Sequence, residues 1–297
     1  MRFLLLGGTG QVGTELRALA LSDNIEVAAP DRGELDLQDE SAIARMIALE
    51  PWSAVVNAAA YTDVDRAESE EAVAFAVNAA APSRLADETG RRGIPLVHIS
   101  TDYVFDGRKG APYVEQDSVA PLNAYGRSKL AGERGVCPGN PRHVVLRTSW
   151  IYSHYGRNFV KTILRLAGER EHLTVVADQH GCPTAARDIA RACLDIALRC
   201  VSEPEQTPYG VYHFAGAGDA SWFEFASEIV EMAADRLARS PSVLPIRTID
   251  YPTAAVRAAD TRLDCTAIVR AFGIEPRPWR QALAETIDRL LTNKDNP

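Results

Sequence analysis

Gly7-Gly8-Thr9-Gly10-Gln11-Val12-Gly13 is the stretch on which the fold turns. Before it stands the short apolar run Arg2-Phe3-Leu4-Leu5-Leu6. After it comes Thr14-Glu15-Leu16-Arg17-Ala18-Leu19-Ala20, rich in helix formers with apolar residues at helical spacing. Strand, glycine turn and helix therefore follow in order. Gly7, Gly10 and Gly13 keep a Gly-x-x-Gly-x-x-Gly spacing, which permits a tight turn, close approach of a pyrophosphate to the main chain, and close packing of helix on sheet. The free N–H groups at the helix start, around Thr9, Gln11 and Val12, then face the phosphates. In isolation such a motif is equally a simple turn; its place between strand and helix favours dinucleotide binding.

Working outward, a second strand, Ile25-Glu26-Val27-Ala28-Ala29, ends at Asp31-Arg32 about 20 residues beyond the turn, where an adenosine ribose is read. Asp31 suits the ribose hydroxyls of NAD(H) and Arg32 the 2′-phosphate of NADP(H), so the preference between NADH and NADPH stays open. Asp36-Leu37 is a weaker candidate for the adenine edge. A third apolar run, Ala54-Val55-Val56, leads into Asn57-Ala58-Ala59-Ala60, whose small side chains leave room for a cofactor or pack a helix. Asn78, in an alanine-rich helical stretch, reads as a solvated polar residue.

The fourth run, Ile94 to Ile99, ends in Ser100-Thr101-Asp102-Tyr103-Val104-Phe105, and Ser100 or Thr101 could hold a substrate carbonyl oxygen. His98, inside the apolar run, reads as a satisfied core residue. Downstream, Tyr125 and Lys129 stand four apart, on one face if the segment is helical. A free phenol titrates near ~10, and a nearby ammonium moves it toward working pH. Hydroxyl, phenol and amine together suit protonating an oxygen while hydride arrives at the attached carbon. The alternation of strands and helices predicts an α/β fold: a Rossmann-type doubly wound parallel sheet with a smaller C-terminal mixed α/β substrate domain. Residues 1–150 are assigned to the NAD(P)-binding domain, to which later segments return, and residues 151–297 mainly to substrate binding.

In the second half, Asn158 to Ala167 reads as an amphipathic helix, Leu173 to Val176 as a strand, and Pro183-Thr184 as the opening of a helix through Leu198. Tyr209 to Phe214 suggests a strand, Trp222 to Met232 a helix and Ala282 to Leu291 a closing helix. Cys200–Pro208 and Arg239–Pro245 read as loops, and Asn293–Pro297 as a frayed tail. Asn158 and Thr184 have the chemistry of helix caps.

Across 297 residues, 46% hydrophobic, the formal charge of −8 argues against a nucleic-acid partner. Five cysteines without metal or disulfide spacing suit reduced thiols, no stretch approaches the ~20 apolar residues of a membrane span, and no signal peptide is apparent. A cytoplasmic protein is expected.

Several motifs in one order carry a resemblance. They are the glycine turn, Asn57-Ala58-Ala59-Ala60-Tyr61-Thr62-Asp63-Val64-Asp65, Ser100 to Phe105, Tyr125-Gly126-Arg127-Ser128-Lys129-Leu130-Ala131-Gly132-Glu133, Arg147-Thr148-Ser149-Trp150-Ile151-Tyr152, and Gln179-His180-Gly181-Cys182-Pro183-Thr184. Nearly end to end, the chain resembles the extended short-chain dehydrogenases/reductases and, within them, the dTDP-4-dehydrorhamnose reductase family. The resemblance implies reduction of the 4-keto sugar of dTDP-4-dehydro-L-rhamnose by NADPH or NADH. Thr101, Tyr125 and Lys129 fall on the family's triad, with Tyr125 the proton donor. Val104, Phe105, Trp150, Asn158 and Arg257 fall on substrate positions, although Ala258 replaces the proline that commonly follows that arginine. The alternatives are a 4-ketoreductase of another nucleotide deoxysugar, or a reductase-like regulatory subunit without turnover. Some members form a homodimer around magnesium held by glutamates. Here only Glu15 matches, with Arg187 and Arg289 at the other positions, so no metal is expected and Glu15 should pair with one or both arginines.

Overall fold

The computed structural model describes residues 1–237 and 239–292; the tail expectation at Asn293–Pro297 lies outside them. The predicted opening forms as read. Strand β1 (Arg2–Leu6) passes through the glycine turn into α1 (Gln11–Ser22), followed by β2 (Glu26–Ala28), α2 (Glu40–Leu49) and β3 (Ala54–Asn57). Helix α3 (Ala81–Gly90), β4 (Leu96–Thr101), α4 (Ala124–Gly139) and β5 (His143–Thr148) continue the alternation. Beyond them come α5 (Phe159–Glu169), β6 (His172–Val176), α6 (Ala186–Ser202), β7 (Gly210–His213), α7 (Trp222–Ala233), β8 (Ser242–Ile246) and α8 (Trp279–Thr292).

Six strands form one parallel sheet in the order β7-β5-β4-β3-β1-β2. Central strands β3 and β4 are buried along their whole length, as a parallel sheet covered on both faces requires. On one face α1 and α6 enclose a core around Phe3, Leu16, Val56, Ile189 and Leu194. On the other α2, α3 and α4 enclose Leu4, Ile43, Val55, Leu85 and Val136. The chain reverses its strand order between β1 and β3, so the carboxyl ends of β1, β3, β4 and β5 open a crevice for ligands.

The second half divides its elements. Helix α6 and strand β7 return to the sheet, whereas α5, α7 and α8 pack around Val160, Phe225, Ile229, Trp279 and Leu283. Two loop expectations are corrected. Helix α6 runs through Ser202, into the segment read as a Cys200–Pro208 loop. Part of Arg239–Pro245 is strand β8, paired in parallel with β6 so that Pro245 stands opposite Val175. The pair forms a two-stranded sheet, so proline's missing N–H is tolerated there.

Candidate active site

The glycine turn owes its shape to main-chain crowding. Gly7 has φ +79°, and a Cβ on it would stand 2.6 Å from the Ala59 nitrogen. A Cβ on Gly13 would stand 2.1 Å from the Gly7 carbonyl oxygen, so any side chain there would fill the cradle. Gly10, which donates its N–H to Gly7 (3.0 Å), caps α1 without a side chain, leaving first-turn donors free for phosphate. This cradle fits a dinucleotide pyrophosphate. Ala58, Ala59 and Ala60 stand opposite, half-buried. Asn158 caps α5 through Lys161 N–H (3.1 Å) and also donates to the Gln11 side-chain Oε1 (2.9 Å), joining the second half of the chain to the turn.

At the ribose end, Asp31 Oδ1 already accepts from the N–H groups of Gly33 (2.7 Å) and Glu34 (3.1 Å). Arg32 is exposed beside it. Asp36 likewise closes its own turn on Gln38 N–H (3.0 Å), and Leu37 packs half-buried against the core beneath.

Strand alternation separates Ser100 from Thr101. Ser100 donates to Glu133 (2.5 Å), which also takes two hydrogen bonds from Arg147 (2.9 and 2.7 Å), making a buried cluster under the site. Thr101, at the strand's end, donates instead to Asp102 Oδ1 (3.0 Å) and accepts from Tyr103 N–H (3.2 Å). Its hydroxyl is near enough to the Tyr125 phenol to favour the phenolate. Of the two hydroxyls, Thr101 therefore accompanies Tyr125.

Asn123 caps α4 through Gly126 N–H (2.8 Å), fixing Tyr125 in the first turn, half-buried and edge-on to Tyr103 at 5.5 Å. Lys129, one turn on, is 2% exposed and donates to the Ile99 carbonyl (2.7 Å). This corrects one expectation. The ammonium is engaged by the β4 main chain and does not depress the phenol; burial pushes Tyr125 above its ordinary value, with Asp102 and Tyr103 adding to the rise. Burial in turn lowers Lys129 to about 8, opposed by the Glu133 carboxylate.

Three supporting residues escaped the sequence reading. Asn78 is fully buried, not solvated, because the chain tightens there into a π-helical turn, Ala76–Ala80. It grips both main-chain groups of Tyr61 (2.8 and 3.0 Å) and the Ser128 hydroxyl (3.0 Å). Asn123 donates to the Val256 carbonyl (2.8 Å), holding the late loop against α4. Asp102, 1% exposed, is raised to about 6 by burial, and its Oδ2 has no hydrogen-bond partner among the described residues. His98 is core as expected, bonded to Asn57 (3.1 Å) through Nδ1, but its Nε2 is unpaired and burial with Lys129 nearby holds it neutral.

Beyond Tyr103 a cleft is lined by Phe105, Asn123, Trp150, Gln179, Trp222 and Arg257. Val104 is fully buried behind it, and Phe105 stacks on Tyr113 at 4.1 Å. Arg257 makes two hydrogen bonds to Asp65 (3.2 and 2.8 Å), so it is neither loose nor merely solvated. Ala258, at the usual proline position, packs on Gly107, whose φ of +73° leaves no room for a Cβ. Asn158 stands with Gln11 rather than in this cleft's lining. Thr184 is buried, donating to the Cys182 carbonyl (2.9 Å) and accepting from Gly216 N–H (3.1 Å).

A family model described as RmlD substrate binding domain matches residues 1–292. The dTDP-4-dehydrorhamnose reductase of Sinorhizobium fredii is 43% identical over 291 residues, covering 98% of each chain. The chain belongs to the dTDP-4-dehydrorhamnose reductase family. Among solved structures, a dTDP-4-dehydrorhamnose reductase from Clostridium acetobutylicum superposes with a TM-score of 0.90 at 36% identity, covering 98% of this chain and 99% of its own. The Bacillus anthracis dTDP-4-dehydrorhamnose reductase, solved in complex with NADP, gives 0.89 at 34% identity, covering 97% and 99%.

The magnesium position of some family members does not fit here. Glu15, 2% exposed, faces Arg187 (3.5 Å), His154 (3.3 Å) and the Ser153 hydroxyl (3.3 Å), with Arg289 lining the same pocket. The pairing expected with Arg187 is present; Arg289 makes no ion pair with Glu15 among the described residues. Arg187 beside Glu15, and Arg277 on the pocket's other carboxylate, Glu285 (2.8 Å), oppose a hard cation, which needs several oxygen ligands. No group of three His, Cys, Asp or Glu side chains arranged for a metal occurs among the described residues.

Proposed function

We propose that this protein reduces the C4 ketone of dTDP-4-dehydro-L-rhamnose to give dTDP-L-rhamnose. The observation that carries this reading is the convergence of Thr101, Tyr125 and Lys129 at the carboxyl end of β4, between the glycine cradle and the aromatic cleft. Bound NADPH or NADH supplies the hydride. Tyr125 gives its proton to the C4 oxygen as the carbonyl carbon is reduced, leaving an alcohol and a phenolate that solvent reprotonates. The phenol stays protonated through the neutral range, as a donor must, while its burial makes it a weaker acid than a free phenol. Thr101 positions the carbonyl, and Lys129 holds the nicotinamide ribose.

Asp31's commitment to its own turn and the exposed Arg32 favour NADPH over NADH. Five free cysteines accord with a reducing, cytoplasmic setting. Among the described residues no helix is long and apolar enough to cross a membrane.

The test is oxidation of NADPH and, separately, NADH with dTDP-4-dehydro-L-rhamnose generated in place. Stoichiometric oxidation with dTDP-L-rhamnose as product supports the assignment. A different ketosugar turned over in preference would redirect it to another nucleotide deoxysugar.

A further inference from the structure

Trp150 adopts φ +46°, in the left-handed region that disfavours a bulky side chain. Its surroundings hold that geometry from both sides. Thr184 N–H donates to the Trp150 carbonyl (3.2 Å), and Ser149 Oγ donates to the Cys182 carbonyl (2.8 Å). Position 181 must be glycine, because a Cβ there would stand 2.5 Å from the indole. Strain so supported implies that the placement of this ring matters.

The ring lies parallel to Trp222, centroids 3.5 Å apart and planes within 6°. Trp222 opens α7, where Ser221 and Glu224 bond reciprocally and fix the first turn. Phe159 leans on it at 4.6 Å. Neither tryptophan is fully buried, and both line the cleft that reaches Asn123, the cap of the helix carrying Tyr125. With the indoles stacked, the enclosed volume of that cleft is about 10 Å³, the size of about one water.

We propose that Trp222 is a substrate-gripping residue and that the Trp150–Trp222 stack is the closed form of the sugar subsite. The apolar face of a 6-deoxyhexose takes the place that one indole holds on the other. Trp150 is the fixed wall and Trp222 the member that yields. The assignment rests on the nucleotide-sugar reading above and adds to it a residue and an opening movement. Proximity to Tyr103 and Asn123 selects the sugar rather than the base, because the reacting carbon must reach Tyr125 while the base lies a pyrophosphate away.

The experiment compares wild type, Trp222→Ala and Trp222→Phe by steady-state kinetics with the ketosugar, by inhibition with dTDP, and by the exciton circular dichroism of the stacked indoles. Loss of one aromatic stacking contact predicts a KM about 10-fold higher in Trp222→Ala, with kcat affected less and phenylalanine recovering much of the loss. Inhibition by dTDP should be unchanged, and dTDP-L-rhamnose, but not dTDP, should collapse the wild-type exciton signal. An unchanged KM in both variants, a parallel loss of dTDP affinity, or an exciton signal indifferent to dTDP-L-rhamnose overturns the proposal. Thermal unfolding checks that each variant is folded. If Trp222→Ala is not, Trp222→Phe and the wild-type exciton signal decide. Wild type that reduces no ketosugar defeats the underlying reading and this inference with it; wild type that does, beside indifferent variants, defeats this inference alone.

Discussion

The two ends of the crevice are built differently. The cofactor end comes from one continuous stretch, β1 through α1, with Ala58–Ala60 as backing. The proposed sugar end draws Tyr103, Trp150, Gln179, Trp222 and Arg257 from five separate places in the chain. A site made from one turn is set by main-chain shape, so its sequence must be nearly fixed. A site assembled from distant segments is set by side-chain contacts, each of which can be altered alone.

That contrast predicts where substitutions do most harm. At the cofactor end, Gly13→Ala drives a methyl group into the Gly7 carbonyl. Such overpacking costs typically about 1–3 kcal/mol, and more where the obstacle is main chain. Cofactor titration should show NADPH binding lost while the far lobe keeps its fold. Retained affinity would mean that the turn is more pliant than the geometry implies.

Between the two ends, Asp102 links burial to pH. Its folded pKa, about 6, lies above the ordinary 3.8, so the folded state holds this proton more tightly than the unfolded chain does. Its contribution is most favourable below about pH 4 and is lost as pH rises through about 6, a cost of about 3 kcal/mol for a shift near two units. Asp102→Asn should therefore unfold at higher denaturant than wild type at pH 8, with the gap closing toward pH 4. A gap independent of pH would assign the effect to something other than the buried charge.

Lys129 offers a smaller effect on the cofactor side. With its pKa lowered to about 8, the cationic form proposed to hold the nicotinamide ribose is depleted above that point. NADP affinity should weaken several-fold between about pH 7 and about pH 9, and Lys129→Met should remove the dependence. The smallest expected effect concerns Glu15. With Arg187 at its carboxylate, a chelator should leave turnover unchanged; activity abolished by chelation and restored by magnesium would sink the metal-free account.

The same contrast explains what could be read in advance. Strand, glycine turn and helix are adjacent in sequence, and Tyr125 and Lys129 share a helix face, so local spacing sufficed for both. The ammonium's actual partner, the Ile99 carbonyl, comes from β4, which spacing along α4 cannot indicate. Asn78 looked solvated because its neighbours are helix formers; its burial depends on a π-helical turn and on Tyr61 and Ser128 from other segments. Strand β8 was hidden in a stretch with the composition of a loop, and its pairing with β6 is a tertiary contact. Trp222 read only as the start of a helix, because its stacking partner stands far away in sequence.

At the centre of the proposed reaction, Tyr125 protonates a sugar ketone beside a bound nicotinamide. The most direct measurement is NADPH oxidation by wild type and Tyr125→Phe with dTDP-4-dehydro-L-rhamnose, alongside NADP binding to both. The account predicts product from wild type, a loss of turnover on the order of 10²–10⁴-fold in the variant, and equal NADP affinity. Undiminished turnover by Tyr125→Phe would contradict it, and cofactor binding without turnover in wild type would point to a reductase-like regulatory subunit instead.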